Sequence, residues 1–224
     1  MRIRKLVGML MAAALVIGAV AIQGDAKTKS KGTTKRATSS TKRSSSTAKE
    51  TGNHMEFMGI PMNGTISNFS TKLASKGFKA LTGEAKGIKP YSGDYFNWPA
   101  KLHVYYLPTT KEVYQVRVVI DCYTEATAQY LVGQLLAAYE EKYEGADIEE
   151  GEHEGYDAYE IVLFDWDNIY PAGTDEDGET QYVVPYLGWI DIFMSDSFGD
   201  YSVFVDFFDW ENYEKYEEWL KTTI

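Results

Sequence analysis

Leu102-His-Val-Tyr-Tyr106, the turn Pro108-Thr-Thr110, and Val113-Tyr-Gln-Val-Arg-Val-Val-Ile-Asp-Cys122 form the stretch whose reading decides the fold. Both runs suit half-buried strands, and Val116, Val118, Ile120 and Cys122 share one parity. Alternation on either side of a short turn predicts an antiparallel hairpin with one face buried. A helix follows from Thr124 to Glu144, with Thr124 as its N-cap, Ala128, Leu131, Leu135 and Ala138 on one face, and Gly145 as its stop. A hairpin feeding an amphipathic helix points to an α+β domain, with helices laid on an antiparallel sheet.

The neighbouring sequence extends the pattern. Thr65 to Gly77 carries Ile66, Phe69 and Leu73 at helical spacing, with Gly64 making the turn and Thr65 as the expected cap. Trp210 to Thr222 reads as a third helix with Trp210, Tyr213 and Leu220 inward. Strands are expected over Tyr156–Phe164, Tyr182–Met194 and Tyr201–Phe208, and shorter ones over Glu56–Met58, Phe78–Thr82 and Tyr91–Trp98. The expectation is therefore an antiparallel sheet with about three helices packed on one face. Helix followed by strands occurs after Thr65 and again after Thr124, the order of a weak internal pseudo-repeat without a residue-level match.

The front of the chain has a different character. Arg2, Arg4 and Lys5 precede an uncharged apolar run from Leu6 to Ile22, the layout of an export signal over residues 1–26. Ala19-Val20-Ala21 and Gly24-Asp25-Ala26 both offer small residues to a signal peptidase, and an uncleaved anchor is the alternative. Either way the positive tip stays inside and the rest is carried out, to the periplasm or beyond. No cysteine stands just after the run, so a lipoprotein is not expected. Membrane association is expected only through this segment, if it is uncleaved. Cys122 is the single cysteine, which excludes an intramolecular disulfide, and its parity assigns it to the core.

Apart from Glu50 and Asn53, residues 27–53 are Lys, Arg, Ser, Thr, Gly and Ala with no aromatic residue, a composition that predicts a disordered basic linker. The domain, residues 54–224, is strongly acidic. Residues 51–144 balance nine Lys/Arg against nine Asp/Glu, whereas residues 145–224 hold two against twenty-two. Such a surface repels phosphate, so nucleic acid is not an expected partner.

No catalytic motif emerges. The hairpin register puts Cys122 roughly 20 Å along the strand from His103 at about 3.3 Å per residue, which excludes a Cys–His dyad. There is no Gly-x-Ser-x-Gly elbow and no zinc-binding His or Cys spacing. His153 falls in a run of glutamates that reads as a solvated loop. Asp165, Asp167, Asp175 and Asp177 flank a long loop, and hard oxygens there suit calcium, although the EF-hand spacing fails and a hairpin turn at Asp177-Gly178 explains the residues as well. Asp191 and Asp206 form a glycosidase-like pair in principle, and with so many acids some facing pair is expected by chance. Tyr105, Tyr156, Tyr186 and Trp189 cannot all face inward on alternating strands. Together with the acids they outline a binding face for peptide or glycan.

The segment Phe57-Met-Gly-Ile-Pro-Met-Asn-Gly-Thr-Ile66, with Phe69, Leu73 and Lys76-Gly77-Phe78, resembles the opening of a group of small exported Bacteroidetes proteins to which no activity is assigned. In its logic it is also similar to outer-membrane assembly lipoproteins and β-lactamase-inhibitor-like folds, where a turn starts a helix packed on an antiparallel sheet. That likeness implies fold and no function. The expected function is thus an exported, non-catalytic binding or envelope-associated domain. The alternatives are a carboxylate-dependent extracytoplasmic hydrolase and a structural envelope component held by the basic tail.

Overall fold

The computed structural model of the chain describes residues 54–83, 85–143, 146–174, 177–197 and 200–223. The expected signal (1–26) and linker (27–53) lie outside them, as does Gly145. In chain order the elements are β1 (Glu56–Phe57), β2 (Ile60–Pro61), α1 (Ile66–Ser75), β3 (Lys79–Ala80), β4 (Ile88–Tyr95), β5 (Trp98–Tyr106) and β6 (Val113–Cys122). They continue with α2 (Glu125–Lys142), β7 (Asp147–His153), β8 (Tyr156–Phe164), β9 (Tyr170–Thr174), β10 (Thr180–Val183), β11 (Tyr186–Ser197), β12 (Asp200–Asp209) and α3 (Trp210–Thr223).

The main sheet has eight antiparallel strands in the order β3-β4-β5-β6-β12-β11-β8-β7. Two helix-plus-meander units compose it: α1 with β3 to β6, and α2 with β7, β8, β11 and β12. Their last strands, β6 and β12, pair along the middle, with Val118 opposite Val205. The expected pseudo-repeat is present as topology, with four strands per unit rather than three. The hairpin β9–β10 is inserted between β8 and β11 as a separate two-stranded sheet.

Strand parity assigns the faces. Leu102, Val104, Val116, Val118, Ile120, Cys122, Ile190, Ile192, Val203, Val205 and Phe207 bury one face beneath Phe69 and Leu73 of α1 and Leu131, Leu135 and Tyr139 of α2. Burying a Leu, Ile or Phe side chain is worth about 1.5–3 kcal/mol, so this layer carries most of the stability. Tyr139 reaches across the core to hydrogen-bond the buried Tyr95 hydroxyl. Cys122 is buried as expected, and burial raises its thiol pKa.

The α+β class and the antiparallel sheet follow the sequence reading, and two of the three helices share a face. The third does not. Phe208 and Trp189 are register partners pointing away from Phe207 and Ile190, and Tyr213 of α3 packs edge-on against both rings. Helix α3 therefore covers the end of the opposite face. Its buried residue is Asn212, whose amide donates to the Met62 and Val113 carbonyls, while Trp210, expected inward, is 36% exposed.

Further local differences have local causes. Thr65 stands at the N-cap position but makes no side-chain cap; the Ile66 N–H donates instead to the Lys111 carbonyl at 2.7 Å, so the β5–β6 turn satisfies the helix start. Thr124 does cap, accepting from the Thr127 N–H at 3.2 Å. At the other end of α1, Phe78 N–H bonds Leu73 and Gly77 N–H bonds Ala74, a Schellman closure with Gly77 at φ +95°. The expected single strand Tyr182–Met194 is broken at Val184-Pro185 into β10 and β11, because proline cannot donate within a ladder. His103 pairs with Arg117, and the β5–β6 register shifts at Tyr105/Tyr106.

Gly188 allows a second irregularity. The β8–β11 register shifts between Tyr186 and Gly188, and Gly188 has φ +146° and sits where a Cβ would collide with the Phe208 carbonyl oxygen and Met55 Cγ. Gly188→Ala should cost about 3 kcal/mol or more, lowering the melting temperature by roughly 6–12 °C. Gly133, inside α2 with open space around it, should behave in the opposite way: Gly133→Ala is expected to gain about 0.5–1 kcal/mol in the same urea or thermal melts.

Candidate binding face and its ionic centre

On the face opposite α1 and α2, one cross-strand row of side chains runs His103, Arg117, Asp206, Asp191, Glu160, Glu149 over six strands. Rows on either side are apolar or aromatic: Val119, Phe204 and Phe193 on one, Phe208 and Trp189 on the other. A polar ladder thus lies between aromatic banks.

The β7–β8 hairpin closes over its middle. Glu154 and Gly155 both have positive φ (+52° and +86°), the geometry of a tight two-residue turn that makes His153 and Tyr156 partners. His153 is thereby in an edge strand rather than in the loop expected from its glutamate neighbours. Its Nδ1 lies 2.9 Å from Asp191 Oδ2 and its Nε2 lies 3.3 Å from Asp206 Oδ2. Arg117 grips Asp206 in a fork, Nε at 2.8 Å from Oδ1 and Nη2 at 2.6 Å from Oδ2, and also reaches Glu154 at 2.8 Å. Trp189 Nε1 donates to Asp191 Oδ2 at 3.1 Å. The Asp206 carboxylate is fully buried and that of Asp191 nearly so.

Burying charge is expensive unless it is paired, and here each aspartate meets a cation. The Asp191 and Asp206 carboxylates push the His153 pKa up to about 10 against the opposing effect of burial. Burial also works against the Arg117 charge, but hydrogen bonds to Asp206 and Glu154 outweigh it and raise its pKa. His103, partly buried beside Arg117 and Lys101, moves the other way. Glu160 is held above the ordinary carboxylate range by burial first, then by the charges of Asp191 and Glu149. A histidine held as the cation near neutral pH is a poor general base, and here it lies against both carboxylates.

The four tyrosine and tryptophan candidates belong to one ring network. Tyr156 stacks on Phe193 at 6.0 Å, and Phe193 lies 4.9 Å from the His153 ring. Trp189 stacks on Phe208 at 4.4 Å and on Tyr186 at 6.4 Å, and Tyr213 joins it to Tyr114 and so to Tyr105. Tyr186 continues the chain to Trp210 and, through Phe164, to Trp166. Burial, then the charges of Glu160 and Asp191, raise the Tyr186 hydroxyl pKa to about 12. Tyr156 also lines a cleft of about 660 Å³ with Val132, Gly133 and Leu136 of α2 and Tyr159 of β8.

Asp165 caps a single 3₁₀ turn, its Oδ1 accepting from the Asp167 N–H at 3.2 Å and its Oδ2 from the Asn168 side-chain Nδ2 at 2.7 Å, so both oxygens are engaged within the turn. Asp177 lies in the β9–β10 turn beside Gly178 at φ +87°, and Asp175 falls outside the described residues. Among the described residues no group of three or more His, Cys, Asp or Glu side chains is placed to hold a metal ion. The opposed acids Asp191 and Asp206 are direct register partners. What the sequence reading missed is their joint counter-ion: His153 ends the run Asp147-Ile-Glu-Glu-Gly-Glu-His153, in which no alternation marks a strand. No protein family, curated protein or solved structure matches this chain.

The sign of the pH dependence follows. The folded pKa of His153, about 10, exceeds its unfolded value near 6.5, so its contribution to stability is complete below about pH 6.5 and is lost as pH rises toward 10. Urea melts of the wild type should lose stability from pH 7 to 9.5 more steeply than those of His153→Gln. In NMR spectra the His153 ring should keep its charged-state shifts above pH 8.5; a midpoint near 6.5 would contradict the ionic centre.

Proposed function

We infer that the domain is a non-catalytic binding module that works outside the cytoplasm. The observation that carries the binding reading is the exposed end of the ring network: Trp166 (59% exposed) and Trp210 stand in solvent, joined by the half-buried Tyr186 and Trp189. Large amphipathic rings kept in water cost hydrophobic energy that the fold does not recover, and contact surfaces are enriched in such groups. Export rests on the leading apolar run after Arg2, Arg4 and Lys5.

The hydrolase alternative rests on one residue. Glu160, with its raised pKa, adjoins Asp191, and pairs of carboxyls in unlike environments perform acid–base chemistry. Structural pairing of Asp191 and Asp206 weighs against it, because both acids are already engaged.

Glycan and peptide arrays probed with the purified protein test the main reading. Retention on at least one class of probe is expected, falling at least tenfold in Tyr186→Ser/Trp210→Ser. Turnover of chromogenic glycosides or a fluorogenic peptide mixture that drops more than a hundredfold in Glu160→Gln would replace it with the hydrolase. Recovery of the intact chain solely from the cytosol would remove the export claim.

A further inference from the structure

The insertion between β8 and β11, residues 165–185, is built unlike the rest of the domain. Within the described residues β9 and β10 pair only with each other, outside the main sheet. Tyr170 pairs with Val183 and Pro171 with Tyr182, so the ribbon carries an aromatic ring on each face. None of them is buried: Tyr170 is 52% exposed and Tyr182 64%, with Trp166 and Ile169 also in solvent at the root. A two-stranded hairpin of this kind is marginal alone. Among the described residues the outer edge of each strand of this two-stranded sheet pairs with no other strand, the arrangement to which an extended peptide can be added.

Charge selects what it can accept. Residues 165–185 contain six Asp or Glu and no Lys or Arg. A second acidic arm, an anionic membrane or a nucleic acid would all meet like charge, which is destabilising at close range and is weakened only by salt. Rings and carboxylates presented together are the complement of lysine and arginine: an ammonium or guanidinium over an exposed aromatic face is worth about 0.5–1 kcal/mol, and a nearby carboxylate adds charge pairing.

We propose that the β9–β10 arm is a docking ribbon for an extended, Lys/Arg-rich peptide segment of a partner protein. The peptide adds a strand along an open edge, its cationic side chains meeting Tyr170, Tyr182 and Trp166 and the carboxylates around them. This rests on the binding reading above and gives it a partner class and a location.

The test uses the full chain with octalysine, octaarginine, a neutral Gly/Ser octapeptide and chitohexaose, measured by titration calorimetry at 50 and 300 mM salt. The cationic peptides should bind saturably and the neutral peptide should not. Binding should weaken at least tenfold at the higher salt and at least tenfold in Trp166→Ser/Tyr170→Ser/Tyr182→Ser. That variant should keep its melting temperature, because the arm lies outside the core; Asp167→Asn/Glu179→Gln provides a second variant that leaves the rings intact and should weaken binding at least threefold. Cationic peptides that bind the ring variant as well as the wild type would overturn the proposal, the contact then being diffuse attraction to the acidic surface. Chitohexaose binding that is lost in the ring variant, with no response to the cationic peptides, would also overturn it while leaving the binding reading intact. No response to any probe, together with blank arrays, would remove both.

Discussion

The fork between Arg117 and Asp206 is the contact on which the architecture turns. The two residues are register partners on β6 and β12, the strands where the two helix-plus-meander units meet. Asp206 is fully buried there, and a buried carboxylate left without a counter-ion costs several kcal/mol. Sliding β12 by two residues would set Asp206 against Gln115 or Val119 and take away its Arg117 fork, leaving His153 as its one cation. The ion pair therefore specifies one register for the seam, a task that the valines around it cannot perform, since Val116, Val118 and Val119 would tolerate a slip.

From that pair the rest of the face is arranged in sequence. His153 shares Asp206 and adds Asp191, which draws the β7–β8 turn down onto the sheet. The covering turn buries Phe193 and leaves Tyr156 stacked at the margin of the cleft beside α2. Trp189 is held on the same Asp191 oxygen and presents its other side to Tyr186 and Trp210. Charge pairing in the middle of the sheet thus fixes the rings at its edge, and the exposed ones lie where the arm departs.

The residues differ in how far the sequence alone located them. Val116, Val118, Ile120 and Cys122 were legible because a half-buried strand writes its burial as local alternation, and α2 was legible for the same reason at period 3.6. His153 was not. Its partners are 38 and 53 residues further along, and the acidic edge strand β7 has no apolar face to announce it; charged edges are a common protection against strand pairing. The placement of α3 was hidden too, since Tyr213 faces Trp189 and Phe208 across a distance that no periodicity within the helix encodes. Of the candidate site, the aromatic residues could be listed from the sequence, but their union into one network could not, because it depends on the irregularity at Gly188 that puts Tyr186 and Trp189 on one side.

A double-mutant cycle at the seam tests this account most directly, with stability read from urea melts of Arg117→Met, Asp206→Leu and the pair. The account predicts that each single change costs about 3 kcal/mol or more and that the double variant recovers at least about 2 kcal/mol of the summed loss, because a matched apolar pair removes the stranded charge. Additive losses would show that the two side chains do not depend on each other, and the seam would need another cause for its register.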